Sequence, residues 1–310
     1  MSKRLDFTNE LIGRLPEWLD ADAKIMLQVK NAACINEHNN RINMGPDGEN
    51  VIGVAIIKKS VFELMNQYYI PMNTLFLICS KKHEEMDAIK EYILNMIDDG
   101  ERVTTRMMWD SEEDFLSHLI PNLQVSKPKD TPFKYMKDIG MYTIFQYMDE
   151  TVGHAVTPVN YEVITKKNIN RDNLSDLLFF HAAKNTMDKA SCRYFIAEDR
   201  QLKEIDRKDW DGNGALCISN TLRINGACTM FYPNLLRSIA DQINNDLVIL
   251  PIQRETIYVY PKVNSHHARR IMEYAAHIMP TLAGIPLSSQ LLAYDREKDR
   301  LYIHPVKGDT

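Results

Sequence analysis

The residues best suited to hold a metal are Asp209, Asp211 and Asn213, followed by Gly214. Oxygen donors at alternate positions before a glycine converge on a hard cation, as in the first half of a calcium loop. Leu216 suits the apolar position of such a loop, but Asn220 stands where a bidentate glutamate would close the shell. A tight Asp/Asn/Gly turn leading into a strand at 215 explains the same residues, and both readings stand. A second set is Asn220, Asn225, Gly226 and Glu255, at the ends of consecutive expected strands. Polar groups there would line a ligand pocket, or they would shape turns, with Asn225-Gly226 supplying a positive φ. The third set is His266, Arg269 and Arg270, which open a helix and would contact phosphate or an acidic partner. On the same helix Glu273 and His277 lie four apart, giving two ligands of a metal site without an evident third. A solvated polar helix face accounts for the same residues without a ligand.

Other chemistry leaves no trace. There is no G-x-S-x-G, no G-x-x-x-x-G-K and no G-x-G-x-x-G, so nucleophile elbows, P-loops and dinucleotide folds are not indicated. The five cysteines include no C-x-x-C pair, and an odd count argues against a disulfide framework. Cys217 and Cys228 fall within expected strands, where burial quietens a thiol. No cofactor is expected.

These side chains must be positioned by mixed elements. Residues 5–15 read as a helix stopped by Pro16, and 24–30 and 51–58 as antiparallel strands joined by a long turn-rich segment. Residues 60–70 read as a helix, 75–80 as a short strand or buried segment, and 83–98 as an amphipathic helix ended by Gly100. Ser111 caps a short acidic helix over 112–119. Residues 141–148 read as a strand, 153–165 as extended, 173–186 as a helix and 197–214 as a surface loop. In the last third, strands at 215–219 and 227–232 flank the Asn225-Gly226 turn, and a helix follows Pro233. Strands at 246–251 and 256–260, a helix at 265–279 and a hairpin of 291–294 with 300–304 complete the chain. Strand-strand-helix units of this kind predict an α+β fold, with helices packed on one face of a largely antiparallel sheet. Two regions are expected, 1–123 and 133–310, with the polar, proline-bearing stretch 124–132 as linker.

With 45% hydrophobic and 25% charged residues, the 310-residue chain has the composition of a folded globular protein, which excludes disorder and low-complexity scaffolds. Its net charge is -5, and residues 1–150 carry 17 basic against 24 acidic groups, so no global basic field for nucleic acid exists. No apolar run reaches the roughly 18–20 residues of a membrane helix. The start, MSKRLDFTNE, has no apolar core for a secretory leader. Reduced thiols in a cytoplasm are the expectation.

The run NTLRINGACTMFYPNLLRSIADQINNDLVILP resembles an uncharacterised bacterial family, domain of unknown function 5688. The matching positions are Asn220, Asn225, Gly226, Ala227, Tyr232, Pro233, Leu236, Asp246, Leu250 and Pro251, and the resemblance covers residues 140–305, more faintly 24–100. The family tends to carry Ser-Ser, an apolar residue and His before its Glu, whereas Ile252, Gln253 and Arg254 precede Glu255 here. The resemblance implies a fold and an intracellular location but no activity.

An ordinary core without catalytic signatures, together with 16 methionines able to form adaptable surfaces, leads to one functional expectation. The protein is a non-enzymatic binding or regulatory module acting through a protein partner. The alternative is a hydrolase-type enzyme with a polar site near Asn220, Asn225 and Glu255.

Overall fold

The structure is a computed structural model. It describes residues 2–29, 51–81, 85–152, 156–170, 172–187, 190–198, 201–206, 215–222, 224–262, 265–278 and 287–305. The chain forms two compact units, residues 1–109 with 149–157, and residues 110–148 with 158–310. Within the described residues no helix is long and apolar enough to cross a membrane.

The first unit contains α1 (Ser2–Trp18), β1 (Lys24–Val29), β2 (Val51–Lys59), β3 (Met65–Pro71), α2 (Met72–Lys81) and α3 (Glu85–Trp109). The expected pairing of β1 with β2 is present, antiparallel, with Leu27 opposite Val54, and β3 adds on the far side of β2. Alternate residues of β2, Val54 and Ile56, enter a core with Phe7, Leu11 and Leu15 of α1 and Ile89, Ile93 and Ile97 of α3.

Residues 60–81 correct the sequence reading, which had a helix followed by a short strand or buried segment. Here a turn leads into β3, and α2 follows. Ser60 Oγ accepts from the Phe62 and Leu64 amides at 3.3 and 3.2 Å, and Glu63 adopts φ 63°, closing the β2–β3 turn. In β3 the buried residues are Asn66, Tyr68 and Ile70, a strand period partly hidden by a polar member. The Asn66 amide is satisfied by Thr104 Oγ1 at 3.0 Å, and Thr104 meets Thr157 at 3.1 Å. That saturation is what allows the amide inside.

Two expected helix stops fail. Pro16 lies inside α1, in its last turn, and α3 runs through Gly100 to Trp109. The Tyr68 ring lies where a Gly100 Cβ would be. Glycine is therefore required there by close approach and not as a C-cap. Tyr68 is 8% exposed and its phenol is pushed up to about 12, chiefly by burial.

The second unit holds α4 (Glu112–Ser117), β4 (Leu119–Gln124), β5 (Phe133–Met136), β6 (Met141–Met148), β7 (Val156–Pro158, which begins in the first unit), α5 (Tyr161–Lys166) and α6 (Leu174–Thr186). The expected cap is present: Ser111 Oγ accepts from the Asp114 amide at 3.1 Å. Residues 153–165, read as extended, include α5, with Asn160 Oδ1 accepting from the Val163 amide at 2.9 Å. Strands β4, β6 and β5 pair antiparallel in that spatial order, and residues 124–132 connect β4 to β5.

The remainder comprises β8 (Ala190–Glu198), β9 (Gln201–Ile205), β10 (Ala215–Asn220), α7 (Leu235–Ile243), β11 (Leu247–Gln253), β12 (Thr256–Pro261), α8 (Ser265–Ile278), β13 (Leu292–Asp295) and β14 (Arg300–Ile303). Seven of these strands form one sheet in the order β14-β13-β11-β12-β10-β8-β9, and every pairing in it is antiparallel. The α+β class holds, and cover extends beyond one face. Leu247 and Ile249 of β11 join a core with Leu236 and Ile239 of α7, while Val248 and Leu250 meet Ala268 and Ala275 of α8. The continuous apolar run LVILP reflects burial on both sides. Part of the expected surface loop at 197–214 is strand, the end of β8 and β9.

Residues 227–232 are not a strand. Gly226–Phe231 forms a 3-10 helix, with Gly226 to Met230 all buried. An apolar run enclosed on every side has no alternation to distinguish the two structures. The Asn225-Gly226 turn is real, with Asn225 at φ 51°, but it opens this helix instead of a hairpin.

Two measurements check the first unit. Gly100→Ala gains roughly 0.5–1 kcal/mol of helix propensity, but the methyl collides with a ring fixed by packing, costing about 1–3 kcal/mol. Urea denaturation is expected to give a net loss. Burial raises the Glu101 carboxyl above its usual value, against the Val61 amide, Lys58 and Asn66. A raised carboxyl stabilises the fold while protonated, and that contribution falls as pH rises through the folded value. Glu101→Gln is therefore expected to raise stability at neutral pH and to flatten its decline from mildly acid pH, as read by thermal melts.

Candidate binding groove

The corner between β10 and the β11–β12 turn brings the second predicted set together. Ser219 Oγ donates to the Glu255 carbonyl at 2.6 Å, and the Ala227 amide to the Arg254 carbonyl at 2.9 Å. Gly226 lies against this turn so closely that a Cβ would overlap the Glu255 carbonyl oxygen and Ser219 Oγ. Asn220 closes its own loop: Nδ2 donates to the Ile224 carbonyl at 2.7 Å and Oδ1 accepts from the Ile224 amide at 3.2 Å. Asn225 Nδ2 donates to Gln146 Oε1 of β6 at 2.6 Å. Both asparagines are buried, at 3% and 5% exposure, and Glu255 is half-buried. The described hydrogen bonds of these asparagine side chains stay within the fold. Cys228, on the same 3-10 helix, is fully buried, and burial pushes its thiol far above the ordinary range.

The space that could receive a ligand lies beyond that helix. A groove of about 560 Å³ is bounded on one side by Lys134, Tyr135, Met136 and the 3-10 turn Lys137–Ile139. Its other walls are Met230 to Asn234, then Leu236 and Arg237 of α7, with Tyr294, Asp299 and Leu301. The volume falls within the range of small-molecule and side-chain pockets. Tyr232 and Pro233, matched in the resemblance, stand in its wall, while the 220–226 corner holds that wall from behind.

The charges of the groove are mostly matched. Lys134 Nζ is 3.1 Å from Asp176 of α6 and 4.4 Å from the centroid of the Phe179 ring. Asp138 receives Arg300 through both oxygens, at 3.1 and 3.3 Å. Asp299 accepts from the Tyr294 hydroxyl and lies 3.8 Å from the Arg237 guanidinium. Burial, and then that bond to Asp299, hold the Tyr294 phenol well above its usual value. Among the described residues Lys137 has no such partner, and its side chain is exposed.

The other two predicted sets fare differently. Asp209, Asp211 and Asn213 fall outside the described residues, as does the side chain of His266. Arg269, half-buried, and Arg270, exposed, belong to α8 and do not line the groove. Glu273 is exposed on α8, and the His277 side chain is outside the described residues. No group of three metal-ligating side chains occurs among the described residues. Sequence reasoning missed Lys134, Lys137, Arg237, Tyr294 and Asp299. Only Tyr232-Pro233 pointed to this wall, because the other segments meet through folding alone.

Three mostly antiparallel sheets with helices against them, and a groove walled by a glycine-clasped 3-10 segment, define an α+β protein with a preformed cleft. The chain belongs to the family of unknown function DUF5688, which it matches over residues 48–278, further toward the N-terminus than the motif residues alone suggest. It matches no curated protein and no solved structure.

Gly226→Ala tests the clasp. The added methyl meets backbone, which cannot swing aside, so a loss of about 1–3 kcal/mol in urea unfolding is expected. Asn225→Ala removes the bond to the half-buried Gln146 side-chain oxygen and is expected to cost less, about 0.5–1.5 kcal/mol.

Proposed function

We propose that the protein is a non-enzymatic binding module that takes part of a partner protein into the groove of its second unit. The observation that carries this reading is the state of the groove's charged groups. Each lining carboxylate is paired with a cation of the same chain, and the exposed Lys137 ammonium is left for a partner. The walls contain no serine, threonine, cysteine or histidine that would serve as nucleophile or neutral-pH base. Aromatic and aliphatic side chains supply the remaining surface, with Tyr135 at 49% exposure. Buried aromatic anchors within a polar rim are the usual makings of a protein contact.

The experiment is site-specific photocrosslinking in the cells that make the protein. A photoreactive amino acid at position 135 is expected to yield one dominant light-dependent protein adduct. The same group at the exposed Phe180, outside the groove, is expected to yield none. Equal adducts at both sites, or no adduct at 135, would overturn the reading. Ester or amide hydrolysis by the purified chain, lost in Glu255→Gln, would replace it with the hydrolase alternative.

A further inference from the structure

We infer that the groove's occupant is an extended, acidic peptide segment that adds as a strand to the free edge of β5. This rests on the protein-binding reading above and specifies what is bound and how. Strand β5 pairs with β6 along one edge only, Phe133 opposite Ile144 and Met136 opposite Met141. Among the described residues no backbone hydrogen bond closes its other edge. Alternate residues of such an edge present N–H and C=O groups outward, a template for a further strand.

Open edges are usually guarded by an outward lysine, a proline or a bulge. None of these guards β5. Its lysine, Lys134, is held against Asp176 and the Phe179 ring of α6. Its four residues, FKYM, include no proline, and its register with β6 is unbroken. The groove follows the chain without a gap from Lys134 to Ile139, so the cavity runs along this strand and the turn after it. Side chains of an added strand would alternate between the apolar walls, such as Met230 and Leu236, and the rim.

Charge selects among extended segments. With Asp138 and Asp299 engaged by Arg300 and Arg237, a basic peptide would have to break an existing pair. An acidic side chain would instead meet the exposed Lys137 ammonium at the end of the strand. Main-chain pairing thus supplies attachment, and one carboxylate supplies polarity and register.

The probe is a phage-displayed library of random short peptides selected on the full chain. Enriched peptides are expected to alternate apolar residues and to carry aspartate or glutamate. Binding of the synthetic peptide, read by fluorescence anisotropy, is expected to weaken about tenfold with Lys137→Glu and to recover when the peptide's acid is exchanged for lysine. Lys137 is exposed and unpaired, so the variant is expected to fold, as circular dichroism would verify. N-methylation of alternate peptide amides is expected to abolish binding in one register and spare it in the other. Indifference to methylation, equal loss in both registers, basic consensus peptides or no enrichment would each overturn strand addition. Self-association abolished by Lys137→Glu would overturn it in favour of a second copy of this chain. A crosslink at position 135 with any of these failures leaves the binding reading intact, and its absence removes that reading independently.

Discussion

The second unit depends on one close approach, the missing side chain of Gly226 against the carbonyl of Glu255. Because no Cβ intervenes, the Ala227 amide reaches the Arg254 carbonyl and Ser219 Oγ reaches that of Glu255. These bonds bind the end of β10 and the start of the 3-10 helix to the β11–β12 turn. Thr229 Oγ1, donating to the Gly226 carbonyl at 2.7 Å, tightens the helix from within. Each bond contributes only about 0.5–1.5 kcal/mol net, but leaving such groups buried and unmade costs about 1–3. The geometry is therefore enforced more by what its loss would strand than by what its formation gains. Everything after Gly226 inherits this placement: Ala227, Cys228 and Met230 enter the main core, and Tyr232-Pro233 leave it as groove wall.

The parts of this arrangement that were legible in the sequence are those whose burial is periodic. Strands β1 and β2 alternate, α6 and α7 carry apolar stripes, and the terminal hairpin is bracketed by turn residues. The errors share one cause, burial that does not follow polarity. In β3 the inward residues include Asn66, admitted only because Thr104, distant in sequence, receives its amide. The run Leu75 to Cys79 is apolar throughout and short, so helix and strand look alike until α3 packs beside it. Gly100 reads as a stop because a close approach and a C-cap both call for glycine, and only the Tyr68 ring distinguishes them. The corner residues were visible as Asn220, Asn225 and Gly226, yet whether they line a pocket or support its wall depends on where their hydrogen bonds go. Groove residues such as Lys137 and Asp299 lie more than a hundred positions apart, and no local pattern encodes such a meeting.

Polar groups are handled differently in the two units. In the first, Asn66, Thr104 and Thr157 form a chain of buried side-chain bonds, and Arg106 meets Asp149 at 2.6 Å. Apart from the exposed Arg106, these groups stand inside and serve the fold, since half-satisfied polar networks are costly at low dielectric. In the second unit the pairs Asp138–Arg300 and Asp299–Arg237 sit at the groove, where water screens them and each contributes little to stability. Their effect is instead on the field the groove presents. Pairing removes the carboxylates as free acceptors and leaves a cation exposed.

This distinction bears on the proposed reading of the groove as a recognition site. A general base must exchange protons near neutral pH, so its environment must hold its pKa close to that range. The Tyr294 phenol is displaced the opposite way, so it remains a donor fixed on Asp299. Asp138 is held by both oxygens on Arg300. On the proposed reading, side chains paired in this manner would favour one shape before and after a partner arrives. Binding then loses less conformational entropy at the contact, which is how a preorganised surface gains affinity without added area. On the proposed reading, the pairs that deprive the groove of acid–base chemistry are the ones that prepare it to receive a chain.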